Sequence, residues 1–175
     1  MEGFRTDLAA EELPQDGGGL PGVVSHDYDR DGFRVTHVEV VDPRGAEALC
    51  KPIGTYITME LDAFFRREED SFAHAVRLLA DCLQQLLPLS ADAGVLVAGL
   101  GNAAITPDAV GPETAAYTLA TRHLRARLGD EFAAFRPVSV FQTGVLGTTG
   151  MESSDLIRAL CRAADPAAVV AVDAL

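Results

Sequence analysis

Positive charge is scarce in this sequence. Its 175 residues carry 14 Lys and Arg side chains against 26 Asp and Glu, a formal net charge of −12 at pH 7, and Lys51 is the only lysine. Contacts to nucleic-acid phosphates require clustered Lys and Arg, so this balance argues against a general duplex-DNA-binding protein. We therefore expect no direct nucleic-acid partner.

Long apolar runs are also missing. No stretch approaches the roughly 18 consecutive apolar residues that a membrane-spanning helix needs, and the first 19 residues lack the apolar segment of a signal peptide. Cys50, Cys82 and Cys161 are odd in number and form no Cys-x-x-Cys pair, which favours free thiols in a reducing compartment. We expect a cytoplasmic protein without a membrane partner.

Apolar residues are nevertheless abundant enough for a folded core. Hydrophobic residues make up 48% of the chain and charged residues 23%, which is typical of a globular protein. Residues 1–31 are rich in Asp, Glu, Gly and Pro and show no sustained periodicity, so an extended N-terminal arm is predicted there. Residues 32–175 are predicted to form one α/β domain.

The apolar pattern predicts alternating strands and helices in the second half. Strands are predicted over 33–42, 55–61, 94–100, 137–142 and 167–172. Helices are predicted over 71–87, 112–127 and 155–164, the last capped by Ser153 or Ser154, whereas 42–54 is bounded by turn residues. Short connections between alternating elements predict a mainly parallel sheet in a three-layer α/β/α architecture.

A glycine-rich loop follows the third strand, "GLGNAAITPDAVG". It lacks the third glycine of a dinucleotide-binding loop and any Gly-Lys-Ser/Thr, and its acid would repel a phosphate, so nucleotide binding is not expected. The loop does carry Asp108, and Asp173 directly follows the last strand. Since parallel strands end at the same edge of a sheet, both aspartates are predicted to lie at that edge.

Two neighbouring carboxylates suit acid–base hydrolysis. They cannot both ionise cheaply at close range, so one can accept a proton from water while the other donates one to a leaving group. A structural interpretation also fits the pattern, with Asp108 capping a turn beside Pro107 and Asp173 only ending a strand. The pattern alone leaves both interpretations open.

Other polar residues are weaker candidates. His123 is predicted on a helix, where it is a base, a metal ligand or an ordinary helix histidine, and Arg122 beside it is a candidate for holding an acidic substrate group. Nucleophilic serine catalysis has little support, because no base lies near the hydroxyl residues of the loop after the fourth strand. Those residues are Thr148, Thr149, Ser153 and Ser154.

Six stretches in the same order resemble the germination proteases (spore proteases) of endospore-forming bacteria. They are "FRTDLAAE", "KPIGTYITME", "VLVAGLGNAAITPDAVGP", "TRHL", "GVLGTTGMES" and "DPAAVVAVDAL". The resemblance extends over residues 4–175, essentially the whole chain.

The resemblance implies a fold similar to that of the hydrogenase-maturation endopeptidases and an atypical aspartic endopeptidase made as a zymogen. It implies small acid-soluble spore proteins as substrates, the spore core as location, assembly as a homotetramer and no cofactor. Its essential aspartates fall on Asp108 and Asp173, and Arg122 and His123 are expected to bind substrate. The arm over 1–31 is a candidate activation segment.

The chain also departs from the family. Thr143 stands where a proline is usual, and only "MEGF" precedes Arg5. Family members are about twice as long, so we expect the domain to be truncated at its C-terminus. Two alternatives stay open: a nickel-dependent hydrogenase-maturation-type endopeptidase, which lacks counterparts of "RTDLA" and "KPIGTYIT", and an inactive fragment that acts only as a binding domain.

Overall fold

The computed structural model describes residues 8–14 and 19–174. The chain divides into two compact units, Met1–Pro88 and Leu89–Leu175. This division differs from the predicted arm and single domain, because part of the predicted arm belongs to the sheet of the first unit. Residues 1–7 and 15–18 of the predicted arm lie outside the described residues.

The first unit contains an antiparallel sheet of order β1-β2-β3. The strands are β1 (Val23–Arg30), β2 (Phe33–Val40) and β3 (Gly54–Met59). Asp31 and Gly32 join the first two strands, and both have positive φ (52° and 85°), as a two-residue hairpin turn of the Asp-Gly type requires. The predicted arm is therefore wrong over β1, which is largely exposed and too polar to show the alternation of a half-buried strand.

In the described part of this unit, a 3-10 helix (Ala9–Glu12) is followed by three α-helices: α1 (Pro43–Leu49), α2 (Asp62–Phe65) and α3 (Ser71–Leu86). Helix α3 confirms the predicted helix, whereas α1 lies in the segment 42–54, for which the sequence predicts turns at both ends and no helix. Asp42 caps it: Asp42 Oδ1 accepts hydrogen bonds from the backbone N–H groups of Arg44 (2.8 Å) and Gly45 (3.2 Å). Pro43 fits the first helical position, where no N–H is needed.

Strand β2 supplies core residues to both faces of the antiparallel sheet. Phe33 and Val35 pack in one cluster with Leu78 of α3. Val38 and Val40 pack in a second cluster with residues that include Leu49 of α1. Because side chains alternate across a strand, the shift from odd to even numbers sends the two pairs to opposite faces. The middle strand is therefore anchored from both sides.

The second unit contains a parallel sheet of order β5-β4-β6. The strands are β4 (Val95–Leu100), β5 (Val138–Gly144) and β6 (Ala168–Val172). Val95 pairs with both Val138 and Ala168, so all three strands begin at one edge and end at the other. The prediction of an α/β protein with a parallel sheet is confirmed for this unit.

Among the described residues of this unit, four α-helices connect the strands: α4 (Val110–Tyr117), α5 (Arg122–Leu128), α6 (Leu146–Thr149) and α7 (Ser153–Ala164). The predicted helix over 112–127 is wrong in one respect, since it is broken between α4 and α5. The backbone N–H of Thr121 donates to the carbonyl of Val138 (3.0 Å), and Thr121 Oγ1 accepts from the N–H of Val138 (2.9 Å). These long-range hydrogen bonds replace the helical ones at the break.

Helix α7 begins at Ser153, so neither Ser153 nor Ser154 is its N-cap, and that part of the prediction is wrong. Glu152 occupies the capping position and makes no capping hydrogen bond with its side chain. Ser153 Oγ donates instead to Thr143 Oγ1 in β5 (3.1 Å), while Gln142 Nε2 donates to the carbonyl of Pro112 in α4 (3.1 Å). Within the described residues, no helix has the length and apolar character needed to cross a membrane.

Candidate active site

The loop between β4 and α4 turns back, so that Asp108 lies against the end of β4. Asp108 ends a short 3-10 helix, Thr106–Asp108. Its Oδ2 accepts a hydrogen bond from the backbone N–H of Asn102 (2.8 Å), and its backbone carbonyl accepts from the same N–H (3.1 Å). Asn102 in turn fixes the loop, because its Oδ1 accepts from the N–H of Ala104 (3.0 Å). The half-buried carboxylate is thus held in place by backbone.

Gly101 makes this return possible. It has a φ of +110°, and a β-carbon built on it would lie 2.7 Å from Asp108 Oδ1 and would also overlap the carbonyl oxygen of Asp108. No side chain fits there, and the backbone conformation itself favours glycine. The glycines of "GLGN" therefore serve a close approach to a carboxylate rather than to a phosphate.

Gly111 connects the loop of Asp108 to the strand that precedes Asp173. A β-carbon on Gly111 would lie 2.5 Å from the backbone nitrogen of Leu100 and would overlap the carbonyl oxygen of Val172. The first turn of α4 therefore lies directly against the ends of both β4 and β6. These strands are neighbours, with Gly99 paired to Val172. Asp108 and Asp173 consequently lie at the same edge of the parallel sheet.

Asp173 is more exposed than Asp108. Its Oδ1 accepts a hydrogen bond from the backbone N–H of Ala174 (2.9 Å), which turns the carboxylate at the strand end. Across the described part of the chain, no three His, Cys, Asp or Glu side chains lie together as a potential metal site. This sheet edge therefore carries two carboxylates, the half-buried one of Asp108 and the exposed one of Asp173.

The loop after β5 completes this edge. Thr143, which stands where a proline is usual, is buried near the end of β5 and donates from Oγ1 to the carbonyl of Gly144 (2.8 Å). Thr148 and Thr149 donate to the carbonyl of Val145 (2.9 and 3.2 Å). These two threonine hydroxyls are thus hydrogen-bonded to the backbone of the loop.

Arg122 and His123 are not brought together with the two aspartates. Both are exposed at the start of α5, directly after Thr121. Thr121 is bonded to Val138, the first residue of β5, so this helix starts at the opposite edge of the sheet. A strand of this length spans roughly 20 Å. Their predicted contact with substrate stays a prediction, and it would require a substrate that extends beyond the aspartate edge.

Sequence reasoning missed two residues that shape this site. Asn102 supplies the N–H that binds Asp108, and Gly111 supplies the contact with β6. In the sequence, Asn102 directly follows Gly101, and Gly111 directly precedes Pro112. Neither residue type points to such a role until the neighbouring strand is known.

Comparison with known proteins then decides the family. The family model described as germination protease matches residues 5–175. The chain belongs to the germination protease family. Relatives include the germination proteases of Caldanaerobacter subterraneus subsp. tengcongensis (38% identical over 99% of the chain), Clostridium tetani (36% over 98%) and Bacillus cereus strain B4264 (34% over 98%).

The match to germination proteases confirms the resemblance seen in the six sequence stretches. The chain covers 54%, 54% and 49% of those three relatives, so it spans about half the length of the curated relatives it matches. The carboxylates of Asp108 and Asp173 lie within the matched region. Their catalytic roles stay predictions.

Proposed function

We propose that this chain carries the catalytic pair of a germination protease, an atypical aspartic endopeptidase whose substrates are small acid-soluble spore proteins. Asp108 and Asp173 act on a bound water. Membership of the germination protease family supports a spore germination endopeptidase. The family resemblance further supports synthesis as a zymogen and action in the cytoplasm of the spore core.

One observation carries this proposal: Gly111 lies against the backbone of both Leu100 and Val172. Leu100 leads into the loop of Asp108, and Val172 immediately precedes Asp173. A tight contact of α4 with both strand ends fixes the two loops relative to each other. Such fixed positions are what a pair of acid–base groups needs, since small displacements of catalytic groups are costly.

The proposed reaction is hydrolysis of a peptide bond. One carboxylate accepts a proton from the water as its oxygen forms a bond to the carbonyl carbon. The other carboxyl group donates a proton to the departing amine nitrogen as the C–N bond breaks.

We further infer a three-layer arrangement within the second unit, as in the hydrogenase-maturation endopeptidases. Gln142 contacts α4, and the next residue, Thr143, contacts α7. Because successive strand residues point to opposite faces, these contacts support helices on both faces of the parallel sheet. The predicted carboxyl edge is then the open side of this unit.

Substitution of each aspartate by asparagine tests the proposal. Asp108→Asn and Asp173→Asn should each lower the cleavage of a small acid-soluble spore protein by on the order of 10²–10⁴, because a proton carrier is lost. Asp165→Asn is the matched control: Asp165 ends α7 with a φ of 46°, a conformation that asparagine also tolerates. Near-normal cleavage by either site variant, with an unchanged unfolding temperature, would rule out that residue as catalytic.

A further inference from the structure

The hydrolysis proposed above creates a negative charge that neither aspartate can stabilise. As the water oxygen bonds to the carbonyl carbon, the electron pair of the C=O double bond moves onto the carbonyl oxygen. An ionised carboxylate of Asp108 or Asp173 would repel that oxygen, because both groups are then negative. Enzymes that act on carbonyl groups commonly stabilise this oxygen with fixed hydrogen-bond donors. A neutral donor at the aspartate edge would therefore complete the site.

The side-chain amide of Asn102 is a neutral donor at this edge. Asn102 is the only asparagine in the sequence, and it lies two residues beyond β4, the middle strand of the parallel sheet. Its backbone N–H donates to Asp108 Oδ2 (2.8 Å). Gly99 of β4 pairs with Val172, the residue before Asp173. Asn102 therefore follows a strand that neighbours the strand of Asp173, and it contacts the loop of Asp108 directly.

A hydrogen bond fixes the orientation of this amide. Asn102 Oδ1 accepts from the backbone N–H of Ala104 (3.0 Å). The backbone carbonyl of Asn102 also accepts from the N–H of Ile105 (3.0 Å), so the residue is held at two further points of the loop. Because Oδ1 is the acceptor, Nδ2 is the free end of the amide, and it carries two N–H donors. Such a donor is already in position before the reaction, so it costs no reorganisation when the charge develops.

The Nδ2 group of Asn102 is accessible from solvent. Within residues 8–14 and 19–174, this nitrogen has no hydrogen-bond partner. No buried side-chain nitrogen or oxygen in the same ranges lacks a partner, so the unpartnered Nδ2 of this half-buried residue is not itself buried. Several other side-chain donors of this edge already make hydrogen bonds, namely those of Gln142, Thr143, Thr148, Thr149 and Ser153.

On the basis of the proposed function, we propose that Asn102 is a further catalytic residue, whose side chain binds the carbonyl oxygen of the peptide bond that is cleaved. The Nδ2 N–H groups donate to that oxygen as it becomes negative, and no proton is transferred. When the C–N bond breaks, the electron pair on the oxygen re-forms the carbonyl, and the departing nitrogen takes its proton from the carboxyl group. Asn102 therefore stabilises the transition state more than it binds the intact substrate.

Substitution of Asn102 tests this role, with cleavage of a small acid-soluble spore protein as the assay. Asn102→Asp keeps an oxygen that accepts from the N–H of Ala104 but removes both N–H donors, and Asn102→Ala removes them without adding charge. Each should lower kcat by on the order of 10²–10³-fold and leave KM nearly unchanged. Ala103→Asp is the matched control, since it adds a carboxylate at the exposed neighbouring position and retains the amide. Its kcat should stay close to that of the parent.

A transition-state analogue gives a second measurement, which does not depend on turnover. A peptide difluoroketone built on the cleaved sequence forms a hydrate that resembles the tetrahedral intermediate. Asn102→Ala should raise its inhibition constant by the same factor by which it lowers kcat/KM. Because Asn102 is the only asparagine, protein labelled with an NMR-active nitrogen isotope at asparagine shows a single side-chain amide group. The signal of that group should shift when the ketone binds to the parent chain.

The measurements distinguish failure of this role from failure of the proposed function. If Asp108→Asn abolishes cleavage while both Asn102 variants keep a normal kcat, the role of Asn102 alone is overturned. A side-chain amide signal that does not move when the ketone binds, or equal losses in Ala103→Asp and Asn102→Asp, would overturn it too. A parent chain that neither cleaves the spore protein nor binds the ketone overturns the proposed function, and the role of Asn102 with it.

Discussion

Gly111 and Val172 lie backbone to backbone, so that any β-carbon on Gly111 would overlap the carbonyl oxygen of Val172. This single contact joins a helix start that follows Asp108 to the strand that precedes Asp173. The two proposed catalytic residues are 65 positions apart in the chain, and no local preference could bring them to one place. The glycine is therefore a structural element of the proposed site although it carries no side chain.

Gly111→Ala should separate the two aspartate loops. The added methyl group forces α4 away from the ends of β4 and β6, because the atoms it meets are backbone and cannot rotate aside. A displacement of about 1 Å can lower a catalytic rate by roughly 10²-fold, and overpacking typically costs about 1–3 kcal/mol of unfolding free energy. Cleavage assays and thermal unfolding measure both effects.

Gly147→Ala is the control for that variant. Gly147 lies in α6, and nothing lies within 4 Å of a β-carbon placed on it. The substitution should leave cleavage and stability close to those of the parent. Normal activity in Gly111→Ala would show that the contact does not position the pair.

Gly101→Ala should disturb Asp108 directly. Its β-carbon would meet Oδ1 of Asp108 at 2.7 Å and would also carry the strain of a positive φ. Gly32→Ala separates these causes, since Gly32 also has positive φ (+85°) but has open space around its Cα. Both variants should lose stability by about 1–3 kcal/mol, and only Gly101→Ala should lose activity in the cleavage assay. Equal activity in the two would contradict the assigned role of Gly101.

Chelators should leave proteolysis unchanged. A water activated by two carboxylates needs no metal ion. The proposed reaction also uses neither a cysteine thiol nor a serine hydroxyl. Cleavage is measured with and without EDTA, and with serine- and cysteine-directed reagents. Loss of activity with EDTA that nickel or zinc restores would contradict the aspartate-pair mechanism and favour a metallopeptidase.

The first unit should lose stability in acid, because the stabilising contribution of the Asp42 carboxylate is lost there. The Arg44 side chain and then the N–H of Gly45 lower the pKa of Asp42 below its ordinary value of 3.8, since both bind the charged form. A lowered pKa means that this contribution is present above the ordinary pKa and is lost as the pH falls through the folded-state value. Asp42→Ala should lower the Tm at neutral pH and flatten its fall in acid.

Asp42→Asn separates the cap from the ion pair. Asparagine accepts the same backbone hydrogen bonds at a helix start, so it should retain most of the stability at neutral pH. Melting curves from pH 2 to 7 for the parent and both variants measure this. Parallel curves for the parent and Asp42→Ala would show that the carboxylate of Asp42 does not contribute to the acid dependence.

Much of the site could be predicted from the sequence because its signals are local. Apolar runs identified β4, β5 and β6, and the position of each aspartate after a strand indicated one edge of a parallel sheet. The role of Asn102 could not be predicted, because it depends on a backbone N–H group that almost every residue type has. The distance of Arg122 and His123 from the aspartate edge also escaped notice, since it depends on the bonds between Thr121 and Val138.

The sequence by itself determined the elements whose causes are local: the amphipathic α3 and the three strands of the second unit. It also placed glycines where the backbone packs too closely to admit a side chain. The tertiary structure decided which edge each loop faces, where the helix before β5 breaks, and which apolar row of α3 is left exposed. Those outcomes depend on contacts between residues far apart in the chain, such as Gly111 with Val172. Such contacts form only when the sheet does, because their partners are chosen by strand order and not by neighbouring residues.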